Sequence, residues 1–461
     1  MTRNIVIIGG GISGLSVAYR LEKLFASDPP NITLLEKSSA IGGKIRTSSF
    51  LGHQIDEAAD AFLTRVPWGL DLCSELGIAA DYISPASSKA YVVVNGSLRQ
   101  LPLGLVLGVP TKFLSLLKSR IVSPLSAIRA GLDRIKPDDW PGHDETVGEL
   151  IRRRLGPEIA EKLVDPLIGS INAGDTDLLD LGLVAPQLEA AARNNKSLIN
   201  GLRNQAAQGG DKASPVFCSF PEGMSYLTNT LRSQLKHTDV QTNIEVTSVL
   251  NHAKGLKVSA QGIPDTLADA VVIATPANVS CKFFDSTPSV ISLLQQIEFS
   301  SVALITIGYR RSDILNPLNG SGMLVPRSEG LLMTACSWAS SKWPHWVDDN
   351  HVVFRVSVGR YGDNRFNAYD DSSLVRHVAD ELKNLLEIEG EFIESRISRW
   401  PNSFPQYKRG HETLVDSIDT QIKTDLPGVF LTGSSYRGLG IPACIRQGNE
   451  AARAVTDYLR Q

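Results

Sequence analysis

The stretch NIVIIGGGISG (Asn4–Gly14) constrains this chain more than any other part of it. Gly9, Gly11 and Gly14 stand in G-x-G-x-x-G spacing, behind an apolar, β-branched run and ahead of the amphipathic pattern SGLSVAYRLEK. A second apolar run, NITLLEK, ends near Glu36. Residues 4–37 therefore read as a strand, helix and strand. In such a unit the first glycine makes the tight turn and the second lets a pyrophosphate approach the backbone. The third lets helix and strand pack, and the helix N-terminus faces the phosphates. Glu36 lies where a carboxylate at the end of the second strand binds a ribose hydroxyl. These features together predict a dinucleotide site and a doubly wound α/β fold.

The rest of the chain bounds this reading. With 461 residues, two or three subdomains are expected. The formal charge of -3 and pI near 6.3 argue against nucleic acid as a partner. Five scattered cysteines without a CxxC argue against a disulfide framework or a zinc site, and for a reducing compartment. The motif starts within the first residues and no long apolar run follows, so a cytoplasmic protein without a spanning helix is expected. No GxSxG or HExxH occurs, and the pairs Asp138-Asp139, Asp348-Asp349 and Asp370-Asp371 read as solvated loops.

Further along, VPWGLDLCSEL reads as a helix ended by Gly77, and KAYVVVNGSLRQLP as a hairpin turning at Asn95-Gly96. Residues from about 103 to 204 have helical periodicity, and NQAAQGGDKASP reads as a mobile loop. Between Asp81 and Asp133 the chain has no acidic residue, while Lys89, Arg99, Lys112, Lys118, Arg120 and Arg129 lie among Leu, Val and Ile. This composition suits either an ordinary helical subdomain or a surface for anionic lipid or a greasy polyanionic substrate.

Behind Glu36 comes KSSAIGGKIRT, and near the other end come RWPNSFPQYKRGH and GVFLTGSSYRGLGIPACIRQGNEAA. Together with GGGISGLSVAYRLEK, IDEAADAFLTR and VDPLIGSINAGD, they resemble the oxygen-dependent, FAD-containing porphyrinogen oxidases of haem synthesis, within the amine oxidase-like flavoproteins. The resemblance covers essentially the whole chain. It implies a Rossmann-like FAD-binding domain with a mixed-sheet substrate domain and a helical insertion, the p-hydroxybenzoate hydroxylase and amine oxidase type of α/β fold. It places FAD contacts at Gly9, Gly10, Gly11, Ile12, Ser13 and Gly14, and at Glu36, Lys37 and Lys44. Further contacts follow at Ala58, Ala59, Asp60 and Ala61, at Val246 and Trp400, and at Gly440, Ile441 and Pro442. Relatives often carry GPDS or GPNS where this chain has AADA at 58–61. The arginine that plant-type members set against a substrate propionate falls at Ala90. Arg65, Lys89 and Arg99 are therefore candidates for that charge, and Asn172 is a candidate to face the macrocycle.

The resemblance further implies a six-electron oxidation in three two-electron rounds, with hydride passing to the flavin and dioxygen leaving as peroxide. No catalytic acid, base or metal follows from the residues. Four propionates demand more cations than two, so the cation-rich segment favours coproporphyrinogen III over protoporphyrinogen IX. Peripheral membrane contact and handover to ferrochelatase are the partners implied. An amine oxidase, a carotenoid desaturase and a flavin-free binding protein like the Rab GDP-dissociation inhibitors stay open as alternatives. The expected domains are FAD-binding at 1–88, 205–268 and 400–461, substrate-binding at 89–102 and 269–399, and helical at 103–204. The glycine-rich turn at 438–442 then completes the first dinucleotide site rather than opening a second.

Overall fold

The computed structural model describes residues 3–135, 140–141, 144–208, 216–346 and 348–461. The apolar run Asn4–Ile8 is the middle strand of a five-stranded, all-parallel sheet. Its order is Thr238–Gln241, Asn31–Leu35, Asn4–Ile8, Ala270–Ile273 and Val429–Leu431. Ile5 stands opposite both Ile32 and Ala270. Both faces of the middle strands are covered, which is why these runs are continuously apolar rather than alternating. One face carries the helices Ile12–Leu24, Ser225–Ser233 and Ile441–Leu459. The first and last of these cross closely. A Cβ on Gly448 would sit 2.7 Å from the Ser13 carbonyl oxygen, so glycine sets their separation.

A seven-stranded mixed sheet forms the second layer, in the order Glu394–Pro405, Phe299–Arg310, His351–Val358, Met333–Trp338, Gly322–Leu324, Tyr91–Val94 and Ser97–Gln100. The last two strands are the expected hairpin, with Asn95 at φ 50° and Gly96 at φ 69° in its two-residue turn. Helix Asp371–Leu386 packs Leu374, Val378 and Leu382 against this sheet. Asp370 accepts from the Ser373 amide at 2.8 Å, so one member of an expected loop pair is a helix cap. Asp348 and Asp349 are exposed. Asp138-Asp139 and much of the expected mobile loop lie outside the described residues.

The third layer is helical, running from Phe113–Ser119 to Leu198–Gln208 around its own apolar core. Over Ala160–Gly169 the backbone widens into π-helical turns around Pro166. Asp133, the first acidic residue after the long gap, is buried against Arg154 at 2.8 Å. It also takes the Ser197 hydroxyl and the Ile199 amide, each at 2.9 Å.

Two expected domain boundaries fall inside these layers. Strand Ala270–Ile273 pairs with Asn4–Ile8, so the cofactor layer extends past 268. Strand Glu394–Pro405 runs beside Phe299–Arg310 with one register shift, between Ser300 and Val302, so a boundary at 400 falls inside it. Short apolar strands look alike in sequence, and only the ladder partner assigns each to its sheet.

Candidate active site

The first βα turn is built almost entirely from backbone. Gly9 has φ +106°, and a Cβ on Gly14 would lie 2.0 Å from the Gly9 carbonyl oxygen. Gly11 differs, because the nearest atom to a Cβ there is the Gly43 Cα at 4.0 Å. That open side is the space a pyrophosphate needs. The loop behind Glu36 closes over it, with the Gly42 amide donating to the Gly10 carbonyl at 2.8 Å. Glu36 Oε2 accepts from the Gly10 amide at 2.7 Å and Oε1 from the Ser38 amide at 2.8 Å. Two backbone donors thus hold the carboxylate beside the turn, where it can also receive a ribose hydroxyl. Ile244 donates its amide to the Glu36 carbonyl at 2.9 Å. This link brings the buried Val246 and its strand to the same edge.

Lys44 points into the other end of the cleft. Its ammonium donates to the Ser403 carbonyl, and among the described residues no carboxylate pairs with it. Burial pulls its pKa down to about 8. A desolvated cation without a counter-ion suits an anionic group that binds beside it. Cys444, in the first turn of the last helix, shares this pocket.

That helix begins at Ile441, capped by Gly440 at φ 97°. The Gly438–Gly440 turn is braced by the Gln447 amide, which donates to the Gly438 carbonyl at 3.0 Å. The Tyr407 hydroxyl accepts from the Gly438 amide at 3.1 Å and donates to the Ser434 carbonyl at 2.6 Å. The turn thus fixes in place the helix N-terminus, the positive end of its dipole. Neither Tyr407 nor Gln447 was singled out from sequence, because their partners lie in distant turns.

Ala58–Ala61 lie between the two sheets. Arg355 donates to the Ala58 carbonyl. Asp60 accepts from Lys342 Nζ at 2.8 Å and Trp343 Nε1 at 3.0 Å, and Arg355 Nη1 stands 3.2 Å away. Burial alone would raise the Asp60 carboxyl, but Lys342 and Arg355 outweigh it and hold it well below the usual range. The Asp60 side chain is thus committed to clamping the loop to the seven-stranded sheet. Trp400 donates from Nε1 to the Glu57 carbonyl at 3.3 Å, with the Arg46 guanidinium 5.7 Å from its ring. Lys37 is exposed and pairs with Glu245 at 2.7 Å.

The residues expected near a substrate do not gather in one place. Arg65 is exposed and donates to Gln187 at 3.3 Å. Lys89 reaches Asn319 at 3.3 Å, and Arg99 lies exposed on the outermost strand. Asn172 is buried, with its side-chain amide turned back to the Ile168 carbonyl at 2.8 Å. No group of His, Cys, Asp and Glu among the described residues has the geometry to hold a metal ion.

Comparison with known proteins places this geometry. The family of flavin containing amine oxidoreductases matches residues 12–456. The coproporphyrinogen III oxidase of Bacillus subtilis is 32% identical over 464 residues, covering 99% of this chain and 98% of that protein. The Staphylococcus aureus protein of the same name is 30% identical over 99% of both. A solved structure from Exiguobacterium sp. 255-15, assigned to the protoporphyrinogen oxidases, superposes with a TM-score of 0.90 and 26% identity over 100% of both chains. The glycine cradle, the amide-held Glu36 and the unpaired Lys44 fit FAD, whose anionic pyrophosphate and ribose they match. The chain belongs to the FAD-dependent porphyrinogen oxidase family, within the flavin-containing amine oxidoreductases.

Proposed function

We propose that the protein oxidises coproporphyrinogen III to coproporphyrin III, consuming three dioxygen molecules and releasing three of hydrogen peroxide. The observation that carries this reading is the end-to-end similarity to proteins named coproporphyrinogen III oxidase. FAD, when bound, supplies the two-electron acceptor for each of three rounds. The chain's own residues orient and enclose. Gly11 and the amide-held Glu36 seat the dinucleotide, and Lys44 and the Ile441 helix end favour negative charge at the far end of the cleft. The Asp60–Lys342–Arg355 clamp holds the 58–61 loop against the second sheet.

The helical layer supports a second part of the proposal, peripheral contact with an anionic membrane. Leu103, Leu114, Leu125, Ile128 and Ile135 are all more than half exposed. Lys112, Lys118, Arg120 and Arg129 are exposed among them. No described helix is long and apolar enough to cross a membrane. A face of apolar and cationic side chains, with Asp133 buried beneath it, suits an interfacial position. Delivery of the product to a ferrochelatase at that surface completes the reading.

Side-by-side kinetics on the two porphyrinogens, with peroxide measured, test the substrate. Higher kcat/KM on coproporphyrinogen III is expected, and equal or better turnover of protoporphyrinogen IX overturns the choice. For the membrane, Leu125→Ser with Ile128→Ser should abolish co-sedimentation with phosphatidylglycerol vesicles and leave turnover in solution unchanged. Wild-type protein that ignores such vesicles refutes that part alone.

A further inference from the structure

A cavity of about 50 Å³ lies between the π-helical segment and the seven-stranded sheet, lined among others by Asp165, Gly174, Ser357, Arg360 and Phe404. By the same measure it holds about three or four waters, close to the bulk of one carboxylate arm and far less than a macrocycle. Phe404, in its lining, follows Ser403, whose carbonyl receives Lys44.

Its charges do not balance. Around Arg360 stand Arg327 and Arg365 and, among the described residues, two carboxylates, Asp165 and Asp363. Arg365 takes Asp363 through two bonds of 2.8 Å. Arg327 Nε lies 3.3 Å from Asp165 Oδ2, and Asp165 Oδ1 is taken by the Thr176 hydroxyl at 2.9 Å. Arg360 is left over. It is 7% exposed, and its Nε has no hydrogen-bond partner. Among the described residues its guanidinium makes one hydrogen bond, from Nη1 to the Val325 carbonyl at 3.5 Å, and the nearest carboxylate oxygen, on Asp363, is 3.9 Å away. Burial, with Arg327 alongside, pulls its pKa down to about 10, so it remains charged at neutral pH. Glu298, the next acid nearby, is taken by Lys408 at 2.6 Å and Tyr361 at 2.5 Å.

A buried guanidinium with open donors is costly unless an anion completes it, and its fork geometry fits a carboxylate. Resting on the proposed porphyrinogen activity, we infer that Arg360 receives one propionate carboxylate of the substrate in this cavity. Ala90 lacks that charge, and the three cations expected from sequence are spread over the surface. Arg360 is the specificity residue that they do not supply.

The test compares wild type, Arg360→Gln and Arg360→Lys, all loaded with FAD, on coproporphyrinogen III and on its tetramethyl ester. Arg360→Gln should raise KM for the free acid at least tenfold and change kcat less than threefold. Its KM for the ester should match wild type, and Arg360→Lys should recover part of the loss. An unchanged KM, an equal loss with the ester, or loss of flavin instead of substrate affinity overturns the inference. If Arg360→Gln does not fold, thermal shift decides. Coproporphyrin III should stabilise wild type more than its ester does, and Arg360→Lys should lose at least half of that difference. An undiminished difference in Arg360→Lys refutes the role. Wild type inactive on coproporphyrinogen III would instead sink the proposed function itself, a result read before any variant is compared.

Discussion

Two regions of the molecule hold carboxylates by different means. At the dinucleotide end the work falls to backbone: glycines, amides and a helix terminus, with Glu36 held by the amides of Gly10 and Ser38. Along the seven-stranded sheet it falls to long side chains, with Arg327, Arg355, Arg360 and Lys342 gathered from separate strands and loops around Asp165, Asp60 and Asp363. Backbone recognition is rigid and needs particular residues at fixed spacing. Side-chain recognition is assembled across long sequence distances and tolerates a cation entering from another strand. Loss of one glycine should therefore be felt in the whole fold or in the cofactor alone, according to which side of the turn it faces.

The largest effect is expected from Gly14→Ala. Its Cβ would overlap the Gly9 carbonyl at 2.0 Å, and the strand and helix must separate to admit it. A loss above about 4 kcal/mol is expected, measured as failure of the apoprotein to give a cooperative unfolding transition. A normal melt would show that the turn is less rigid than described. Gly11→Ala should behave in the opposite way. The apoprotein should melt as wild type does, because its Cβ has open space. FAD affinity should fall about 100-fold, since the methyl occupies room the pyrophosphate needs. Titration of apoprotein with FAD checks this, and matched affinities would erase the distinction between the two glycines.

Lys44→Met gives the smallest effect on FAD affinity and joins the two modes of recognition, being a side chain set in a backbone site. The folded pKa of Lys44, about 8, lies below the ordinary 10.5. The apoprotein is therefore destabilised by this charge at all pH values below about 8, and the penalty disappears as pH rises from there toward 10.5. Apoprotein of the Lys44→Met variant should be more stable than wild type at pH 7 by at most about 3 kcal/mol, with the gain shrinking above pH 8. FAD affinity should fall about tenfold, in keeping with one charge-assisted contact. Denaturant melts at pH 7 and pH 10 measure the first, and FAD titration the second. A variant less stable than wild type at pH 7 would mean that Lys44 already has its counter-ion.

Legibility follows the same division. The Gly9–Gly14 turn, the Asn95-Gly96 hairpin and the closing turn before Ile441 can all be read from sequence, because each is a local backbone demand. The clamp of Asp60 by Lys342 and Arg355 cannot be read that way, since its members are more than 280 positions apart. The burial of Arg360 was missed for a different reason. Nothing in YGDNR marks the preceding arginine as buried, and only the crowding of Asp363 by Arg365 reveals it as surplus. The strand Ala270–Ile273 was misplaced because an apolar run of four residues carries no address of its own. Asp370 is exposed as expected, but its capping role was not legible, because a helix cap and a surface loop share the same residue types.

The close crossing of the first and last helices has a consequence for biosynthesis. Gly448 packs on Ser13 and Ser16, so the nucleotide cradle waits for a segment synthesised more than 400 residues later. Until Ile441 has left the ribosome, the nascent chain has a phosphate turn with neither its final helix nor the outer strand Val429–Leu431. Tight flavin capture should therefore require synthesis past this helix, and chains cut short before that strand should emerge colourless and become substrates for proteolysis.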